Sequence, residues 1–210
     1  MGKGYRLKMI YLYSGTPGSG KSLHTARVIL EDLKRGKPVI CNFEINRSLV
    51  KRGYEKFVYI ETFDLRPQWL VDFSKKYFDN KRVKEDSITL IIDEAQMLFN
   101  PRDWNQKDRV EWLKFFQIHR HFGYSIILVS QSDMMLDKQI RALIEYEQIH
   151  RKISNYGIRG YFLQLFFLAK TLFVSVKYWY PMKLRLSAEF FRLHKKYYNL
   201  YDTYNDFGKK

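Results

Sequence analysis

The chain has 210 residues, enough for one main domain with a sizeable core and at most a small appendage. Hydrophobic residues make up 46% of it, as in globular proteins, and the single cysteine, Cys41, excludes an intrachain disulfide. The net charge is +15, and residues 151–210 carry 12 basic but only 3 acidic side chains. This basic part indicates an anionic partner, either nucleic acid or an anionic membrane surface, unless it is merely a solvated face.

No stretch of about twenty consecutive uncharged apolar residues occurs, so we expect no transmembrane segment in this chain. The most apolar stretch, residues 161–176, is interrupted by Gln164 and Lys170 and is interpreted as two strands. The N-terminal residues are basic but lead directly into a short strand pattern, which argues against a signal peptide.

The first predicted element is a strand over residues 8–14, followed by the phosphate-binding pattern G-x-x-x-x-G-K-[ST]. The pattern is Gly15-Thr16-Pro17-Gly18-Ser19-Gly20-Lys21-Ser22. Its glycines let successive N–H groups point at one anion, and Lys21 can reach the β- and γ-phosphates. Apolar residues from Leu23 to Leu33 then recur on one helical face, so the phosphates would lie at a helix N-terminus. We predict that residues 15–23 bind ATP, with Ser22 as a Mg²⁺ ligand.

Apolar runs predict a second and a third strand over residues 38–43 and 56–60, and helical spacing predicts a helix over 67–78. A buried strand over 87–92 then ends in Asp93 and Glu94. At such a position Asp93 is expected to hold Mg²⁺, and Glu94 to orient and deprotonate the attacking water. The pair favours hydrolysis over transfer to a bound acceptor, unless it simply ends a strand. The β–α–β order predicts a mostly parallel sheet with helices on its faces.

A helix predicted from about residue 106 to 121 ends at Gly123, and a buried strand over 124–131 follows. Gln131, at its carboxyl end, is expected to sense the γ-phosphate or the attacking water, unless it only caps a loop. A short helix is predicted over about 134–144. Arg120 and Arg141 are candidates for an arginine that a neighbouring subunit contributes to catalysis, although each could be an ordinary surface residue.

The last part of the chain predicts strands over 146–154, 161–168 and 171–180, the last two as a hairpin turned at 169–170. We divide the chain into a P-loop ATPase core, residues 1–150, and a basic, aromatic-rich β extension of the same domain, residues 151–210. Cations of this extension are expected to bind the phosphates of nucleic acid, single-stranded DNA being favoured. The set comprises Lys183, Arg185, Arg192, Lys195 and Lys196.

Four stretches resemble the zonular occludens toxin (Zot) domain family, which includes the assembly ATPases of filamentous phages and belongs to the FtsK/HerA group of P-loop motors. They are the phosphate loop, residues 91–96, the RH-G-hydrophobic-SQ pattern of residues 119–131, and Leu-Tyr-Asp-Thr-Tyr at 200–204. The resemblance implies a RecA-like α/β core of the additional-strand type, a homo-oligomeric ring, and ATP hydrolysis that moves single-stranded phage DNA or drives virion extrusion. Membrane-bound members continue into a transmembrane helix and a further domain, neither of which is in this sequence.

Three functions remain open. The favoured one is an ATP-hydrolysing motor for phage or plasmid DNA, acting in virion assembly, extrusion or genome packaging. A small-molecule or nucleotide kinase would also use the P-loop, but no compact arginine-rich lid stands out; a non-hydrolysing scaffold of an assembly or secretion complex would share every motif. Phage assembly proteins or a membrane surface are further expected partners, and the expected location is the cytoplasmic side of the host cell, peripheral to the inner membrane.

Overall fold

The computed structural model describes residues 9–102, 106–157, 162 and 171–201. The strands of these residues are β1 (Ile10–Ser14), β2 (Val39–Cys41), β3 (Phe57–Tyr59), β4 (Ile88–Ile92), β5 (Tyr124–Val129), β6 (Tyr146–Lys152), β7 (Leu172–Trp179) and β8 (Leu184–Arg192). The α-helices are α1 (Lys21–Lys34), α2 (Pro67–Phe78), α3 (Gln96–Phe99), α4 (Gln106–Ile118), α5 (Lys138–Ala142) and α6 (Lys195–Tyr198).

The strands form one sheet in the order β3-β2-β4-β5-β1-β6-β7-β8. All pairs from β3 to β6 are parallel, whereas β7 pairs antiparallel with both β6 and β8. Strand β5 lies between β1, which leads into the phosphate loop, and β4, which ends at the acid pair. This inserted strand defines the additional-strand class of P-loop NTPases, so the predicted fold class is confirmed.

Helices cover both faces of the sheet, because the strands are apolar on both sides. On one face α1 packs its residues Ala26, Ile29 and Leu33 against β1 and β2. On the other face α2 and α4 supply Leu70, Trp112 and other large side chains. The buried strands β1, β4 and β5 therefore lie between two apolar layers, and only their carboxyl ends open into loops that can bind a ligand.

Most predicted elements lie where the sequence indicated, but α4 is shorter than expected. It ends at Ile118, and a 3₁₀ turn over His119–Phe122 follows before Gly123. Gly123 has a φ of 76°, and a Cβ there would lie 2.8 Å from the Phe78 ring. The chain therefore turns into β5 at a position where other residues would be strained and in contact with α2.

The C-terminal part adds a strand that the sequence analysis did not predict. Strand β7 is at the predicted position, and it pairs with β6 on one side and with the unpredicted β8 on the other. The one described residue of the expected strand 161–168, Phe162, is helical and not extended, which contradicts the prediction at that position. The rest of that stretch, the turn at 169–170 and residues 202–204 lie outside the described residues. The division at residue 150 stays a prediction; it falls within β6.

Across the described segments, no helix is both long enough and apolar enough to cross a membrane.

Candidate active site

The phosphate loop, residues 15–22, joins β1 to α1 at the carboxyl edge of the parallel strands. Three of its residues have positive φ angles: Gly15 (140°), Gly18 (72°) and Gly20 (96°). A Cβ at Gly15 would lie 2.4 Å from the carbonyl oxygen of His150, and one at Gly20 would lie 2.8 Å from the Phe173 ring. The loop is therefore in close contact with β6 and β7, and glycine is required by these contacts as well as by the backbone angles.

The Lys21 ammonium lies within the loop. Its Nζ donates to the carbonyl oxygens of Gly15 (2.6 Å) and Thr16 (3.3 Å). Desolvation lowers the pKa of Lys21, and Coulombic attraction to Asp93 and Glu94 opposes this effect. The folded chain thus brings together the cation and the acid pair, which are 72 and 73 positions apart in sequence.

The end of β4 is fixed by Asn42, which follows β2. The Asp93 backbone N–H donates to Asn42 Oδ1 (2.7 Å), and the Asn42 amide donates back to the Asp93 carbonyl oxygen (2.9 Å). Desolvation raises the pKa of the Asp93 carboxyl to about 7, and the charge of Glu94 adds to the increase. Asn42 was not identified from the sequence, because the predicted strand over 38–43 includes it, whereas β2 ends at Cys41 and leaves Asn42 at the strand end.

The residues present fit a magnesium-bound nucleotide. A desolvated carboxyl is stabilised in its ionised form by a cation, so Asp93 is suited to hold a divalent ion. Ser22 supplies a second oxygen at the first turn of α1. Inside the loop the Ser19 hydroxyl is buried and has no hydrogen-bond partner among the described residues, so it can donate to a phosphate oxygen. The Leu23 side chain is buried in the core, which leaves only its backbone N–H for a ligand.

The Glu94 carboxylate is exposed and is held by a side chain of α3, which in turn is bonded to a residue directly after β5. It accepts a hydrogen bond from Gln96 Nε2, and Gln96 Oε1 in turn accepts one from the Ser130 hydroxyl (2.9 Å). The Glu94 backbone has a φ of 45°, a conformation uncommon for residues with a side chain. Such backbone strain is concentrated at functional sites. Neither Gln96 nor Ser130 is predicted as a site residue from the sequence.

Gln131 lies beside the phosphate loop, as its strand-end position predicted. Its carbonyl oxygen accepts a hydrogen bond from the Gly15 N–H (3.1 Å). The residue also lines a cavity of about 400 Å³ next to Gly15 and Thr16, into which Asp133 and Tyr156 also face. A role in sensing phosphate or water stays a prediction.

The two arginine candidates are in different places. Arg120 lies in the 3₁₀ turn that precedes β5, at the sheet edge opposite the phosphate loop, and it pairs with Glu145. Arg141 lies on α5, and its Nη1 is 3.0 Å from the Met134 sulfur. Within the described part of the chain, neither arginine forms a hydrogen bond or ion pair with the phosphate loop, so a catalytic role in a neighbouring subunit stays a prediction for both.

The sheet order, the phosphate loop and the acid pair across an inserted strand together define a P-loop NTPase fold. The sequence profile described as "Zonular occludens toxin (Zot)" matches residues 9–206. The chain therefore belongs to the Zot family, as the resemblance of its motifs predicted.

Relatives and solved structures agree with this assignment. The chain is 27% identical over 154 residues to the gene 1 protein of Enterobacteria phage fd, an alignment that covers 69% of this chain and 42% of that protein. It thus spans about two fifths of the length of the curated phage relative. The N-terminal domain of zonular occludens toxin from Neisseria meningitidis is similar with a TM-score of 0.52 and 20% identity, covering 92% of this chain and 98% of that domain.

A virus protein has the same fold. The genome packaging NTPase B204 from Sulfolobus turreted icosahedral virus 2, in complex with ATP-gammaS, has a TM-score of 0.54 and 17% identity, covering 89% of this chain and 98% of that chain. At identities this low, both structural similarities support the fold alone.

Proposed function

We propose that the protein is a Mg²⁺-dependent ATPase whose turnover drives the movement of phage or plasmid DNA in virion assembly, extrusion or genome packaging. The observation that carries the proposal is the proximity of Lys21 to Asp93 and Glu94 across the inserted strand β5. A cation that can hold transferred phosphate and a carboxylate that can activate water lie close enough to interact at one site. This arrangement suits hydrolysis.

Each residue of the site has a proposed task. Backbone N–H groups that the phosphate loop leaves free, which exclude those of Gly15 and Ser19 and leave out Pro17, bind the phosphates together with the N-terminus of the 14-residue helix α1. Lys21 exchanges its loop carbonyls for β- and γ-phosphate oxygens. Ser22 and Asp93 would hold Mg²⁺, which when bound neutralises phosphate charge. Glu94, oriented through Gln96, accepts the proton of the attacking water, and Gln131 senses the γ-phosphate.

The proposed DNA contact rests on exposed cations of the C-terminal part. Arg185 and Arg192 are exposed on β8, and Lys195 and Lys196 are exposed on α6. Lys183 differs, because its Nζ already pairs with Asp133 (3.3 Å) and Glu147 (3.1 Å). We therefore propose that the four exposed cations, and not Lys183, bind the phosphates of single-stranded DNA.

Family membership and the viral relatives support the remaining partners. The similarity to a phage gene 1 protein and to a genome packaging NTPase supports a role in phage assembly or packaging. We propose a homo-oligomeric ring, contact with phage assembly proteins, and a location on the cytoplasmic side of the host membrane. A membrane surface is the competing anionic partner for the same cations.

The function is tested by measuring phosphate release from ATP with and without Mg²⁺, and then with single-stranded or double-stranded DNA added. We expect Mg²⁺-dependent turnover that DNA stimulates. Nucleoside monophosphates are included as control acceptors, because transfer of phosphate to them would identify a kinase. Tight ATP binding without turnover in any mixture would contradict the motor and indicate a nucleotide-dependent scaffold.

A further inference from the structure

A chain of hydrogen-bonded side chains runs from the last strand of the sheet to the start of the phosphate loop. Glu189 of β8 pairs with Arg27 of α1 at 2.7 and 3.1 Å. Arg27 Nη2 is 3.2 Å from His24 Nε2, and His24 Nδ1 is 2.8 Å from His150 Nε2. This series of hydrogen bonds ends at the carbonyl oxygen of Ser14, which lies 3.2 Å from His150 Nδ1.

The two ends of this chain fix the direction of every hydrogen bond in it. A carbonyl oxygen only accepts, so His150 donates from Nδ1 to Ser14 and its Nε2 is the acceptor of the neutral ring. His24 must then donate from Nδ1, and its own Nε2 accepts from Arg27, which can only donate. Both imidazoles are therefore neutral and protonated on Nδ1. Burial lowers the pKa of His150 to about 4, which agrees with a neutral ring.

Strands β6 and β7 also support the loop by packing. The carbonyl oxygen of His150 lies against Gly15, the residue after Ser14. At the other end of the loop, Gly20 rests on Phe173 of β7, whose ring stacks on Phe191 of β8 with centroids 5.5 Å apart. One end of the phosphate loop thus lies on the backbone of β6, and the other end lies on a side chain of β7 that is in contact with β8.

Strand β8 is well placed to change position. Among the described strands it is the last of the sheet and pairs with β7 alone, and Phe191 is its one residue that is not exposed. Arg27 is hydrogen-bonded to β8 through the exposed Glu189 carboxylate, and the rings of His24 and His150 also contact Phe191 of β8, with centroids 5.5 and 6.3 Å apart. Displacement of β8 would remove the partner that orients Arg27, and with it the donor to His24.

We propose that Arg27, His24 and His150 are positioning residues that hold the entry of the phosphate loop and make its nucleotide affinity depend on the position of β8. The proposal rests on the proposed function in one respect, namely that the loop binds a nucleotide. None of the three side chains needs to touch the nucleotide. Their effect is transmitted through the Ser14 carbonyl and the Gly15 backbone.

The first test uses the two acids that pair with Arg27. Glu189→Ala removes the partner on β8, whereas Glu31→Ala removes an exposed partner on α1 itself, 3.8 Å from Arg27 Nε. With a fluorescent ATP analogue and Mg²⁺, we expect Glu189→Ala to weaken affinity about threefold to tenfold. The nucleotide affinity of the Glu31→Ala control should stay within about twofold of the wild-type affinity, because this variant keeps the ion pair between Arg27 and Glu189 of β8. Equal affinities for the wild type and Glu189→Ala would overturn the coupling to β8.

A conservative pair of variants tests His150. His150→Asn keeps a donor near the position of Nδ1, so it should retain most of the nucleotide affinity, whereas His150→Phe keeps the ring and loses both hydrogen bonds. We expect affinity about tenfold weaker for His150→Phe than for His150→Asn. The reverse order, or equal affinities in two folded variants, would contradict a role for the hydrogen bond to Ser14.

Histidine ¹⁵N NMR of the nucleotide-free protein tests the donor and acceptor roles in this series of hydrogen bonds. We expect His24 and His150 to be neutral and protonated on Nδ1, and Arg27→Met to change the His24 signals. An Nε2-protonated tautomer at either ring would overturn the inference. This measurement needs no nucleotide. If the wild type binds no ATP, the proposed function is refuted, whereas the tautomers still decide the inference.

Discussion

The Asp93 carboxyl is partly buried at the end of β4, whereas the Glu94 carboxylate beside it is exposed. Asp93 has a pKa raised to about 7 by desolvation, so a cation is needed to keep it ionised at neutral pH. Glu94 is hydrogen-bonded by Gln96 and lies where water can reach it. The two adjacent acids therefore suit different tasks, one as a metal ligand and the other as a base.

This division can be tested with two substitutions. Lys21→Ala should weaken ATP binding at least tenfold, because the phosphates lose their nearest cation. Glu94→Gln keeps the size of the side chain and should leave binding intact, while turnover falls about 10²-fold to 10⁴-fold through loss of the base. Binding is measured with a fluorescent ATP analogue and turnover by phosphate release. A similar loss of affinity in both variants would contradict separate tasks.

His150 gives a prediction about pH and stability. Its pKa is lowered from 6.5 to about 4 by burial, so between these values the unfolded state binds a proton that the folded state does not. The free energy of unfolding should therefore fall as the pH is lowered from 6.5 to 4, by a contribution on the order of 3 kcal/mol. Denaturation of the wild type and His150→Asn at several pH values isolates this contribution, since the variant lacks it. Parallel pH profiles for the two proteins would refute it.

Site residues that belong to local motifs were predictable from the sequence, whereas those that meet only in the folded protein were not. Lys21 belongs to a contiguous pattern, and Asp93, Glu94 and Gln131 directly follow apolar runs, so their place at the carboxyl edge follows from a parallel sheet. His24 and His150 are 126 positions apart and meet only because β6 pairs beside β1. Strand neighbours of this kind depend on tertiary packing, which no local pattern of residue types reveals.

The unpredicted strand β8 nevertheless has a readable pattern. Leu184, Leu186, Ala188 and Phe190 alternate with more polar residues, a period of two that is typical of a strand. The basic and aromatic composition around it was interpreted as a nucleic-acid surface, and the strand that this alternation indicates was therefore not predicted. By contrast, α2 was predicted at its observed bounds, 67–78, because proline marks its first turn and apolar residues recur at helical spacing.

The contact of β7 with the phosphate loop predicts a large effect of Phe173. Its ring is 5% exposed and packs between Gly20 and Phe191. Phe173→Ala should lower the free energy of unfolding by about 3 kcal/mol or more, because it leaves a cavity under the loop. Urea denaturation measures the loss, and Phe162→Ala, at a side chain that is 63% exposed, is the matched control. A loss below about 1 kcal/mol for Phe173→Ala would mean that the ring is not part of the loop's support.

Assembly into a ring predicts that one arginine acts across the subunit interface. Arg120→Ala and Arg141→Ala are each assayed alone and then mixed with Glu94→Gln. The catalytic arginine is the one whose variant loses turnover alone, by about 10³-fold, and regains part of it in the mixture, because some sites then combine an intact Glu94 with an intact arginine. Absence of recovery at every ratio, in mixtures shown to assemble, would contradict an arginine supplied in trans.

The charge distribution of the protein leads to the prediction about nucleic acid. Four cations of the C-terminal part, Arg185, Arg192, Lys195 and Lys196, are exposed, whereas Lys183 is paired with two acids. Replacing the four by glutamine should weaken binding of single-stranded DNA. The slope of log affinity against log salt should fall by roughly 0.7 for each phosphate contact that is lost, because fewer counterions are released.

Lys183→Gln is the matched control for these four substitutions. It should leave the salt slope unchanged, since its ammonium neutralises Asp133 and Glu147 within the fold and not a phosphate. Binding to vesicles containing anionic lipid is measured for the same proteins, because a membrane surface would attract the same cations. An unchanged DNA slope together with loss of vesicle binding in the fourfold variant would assign these charges to a membrane surface. The DNA contact would then have to involve other loops, of which the segment after Gln131, with its exposed Met134, is the first to test.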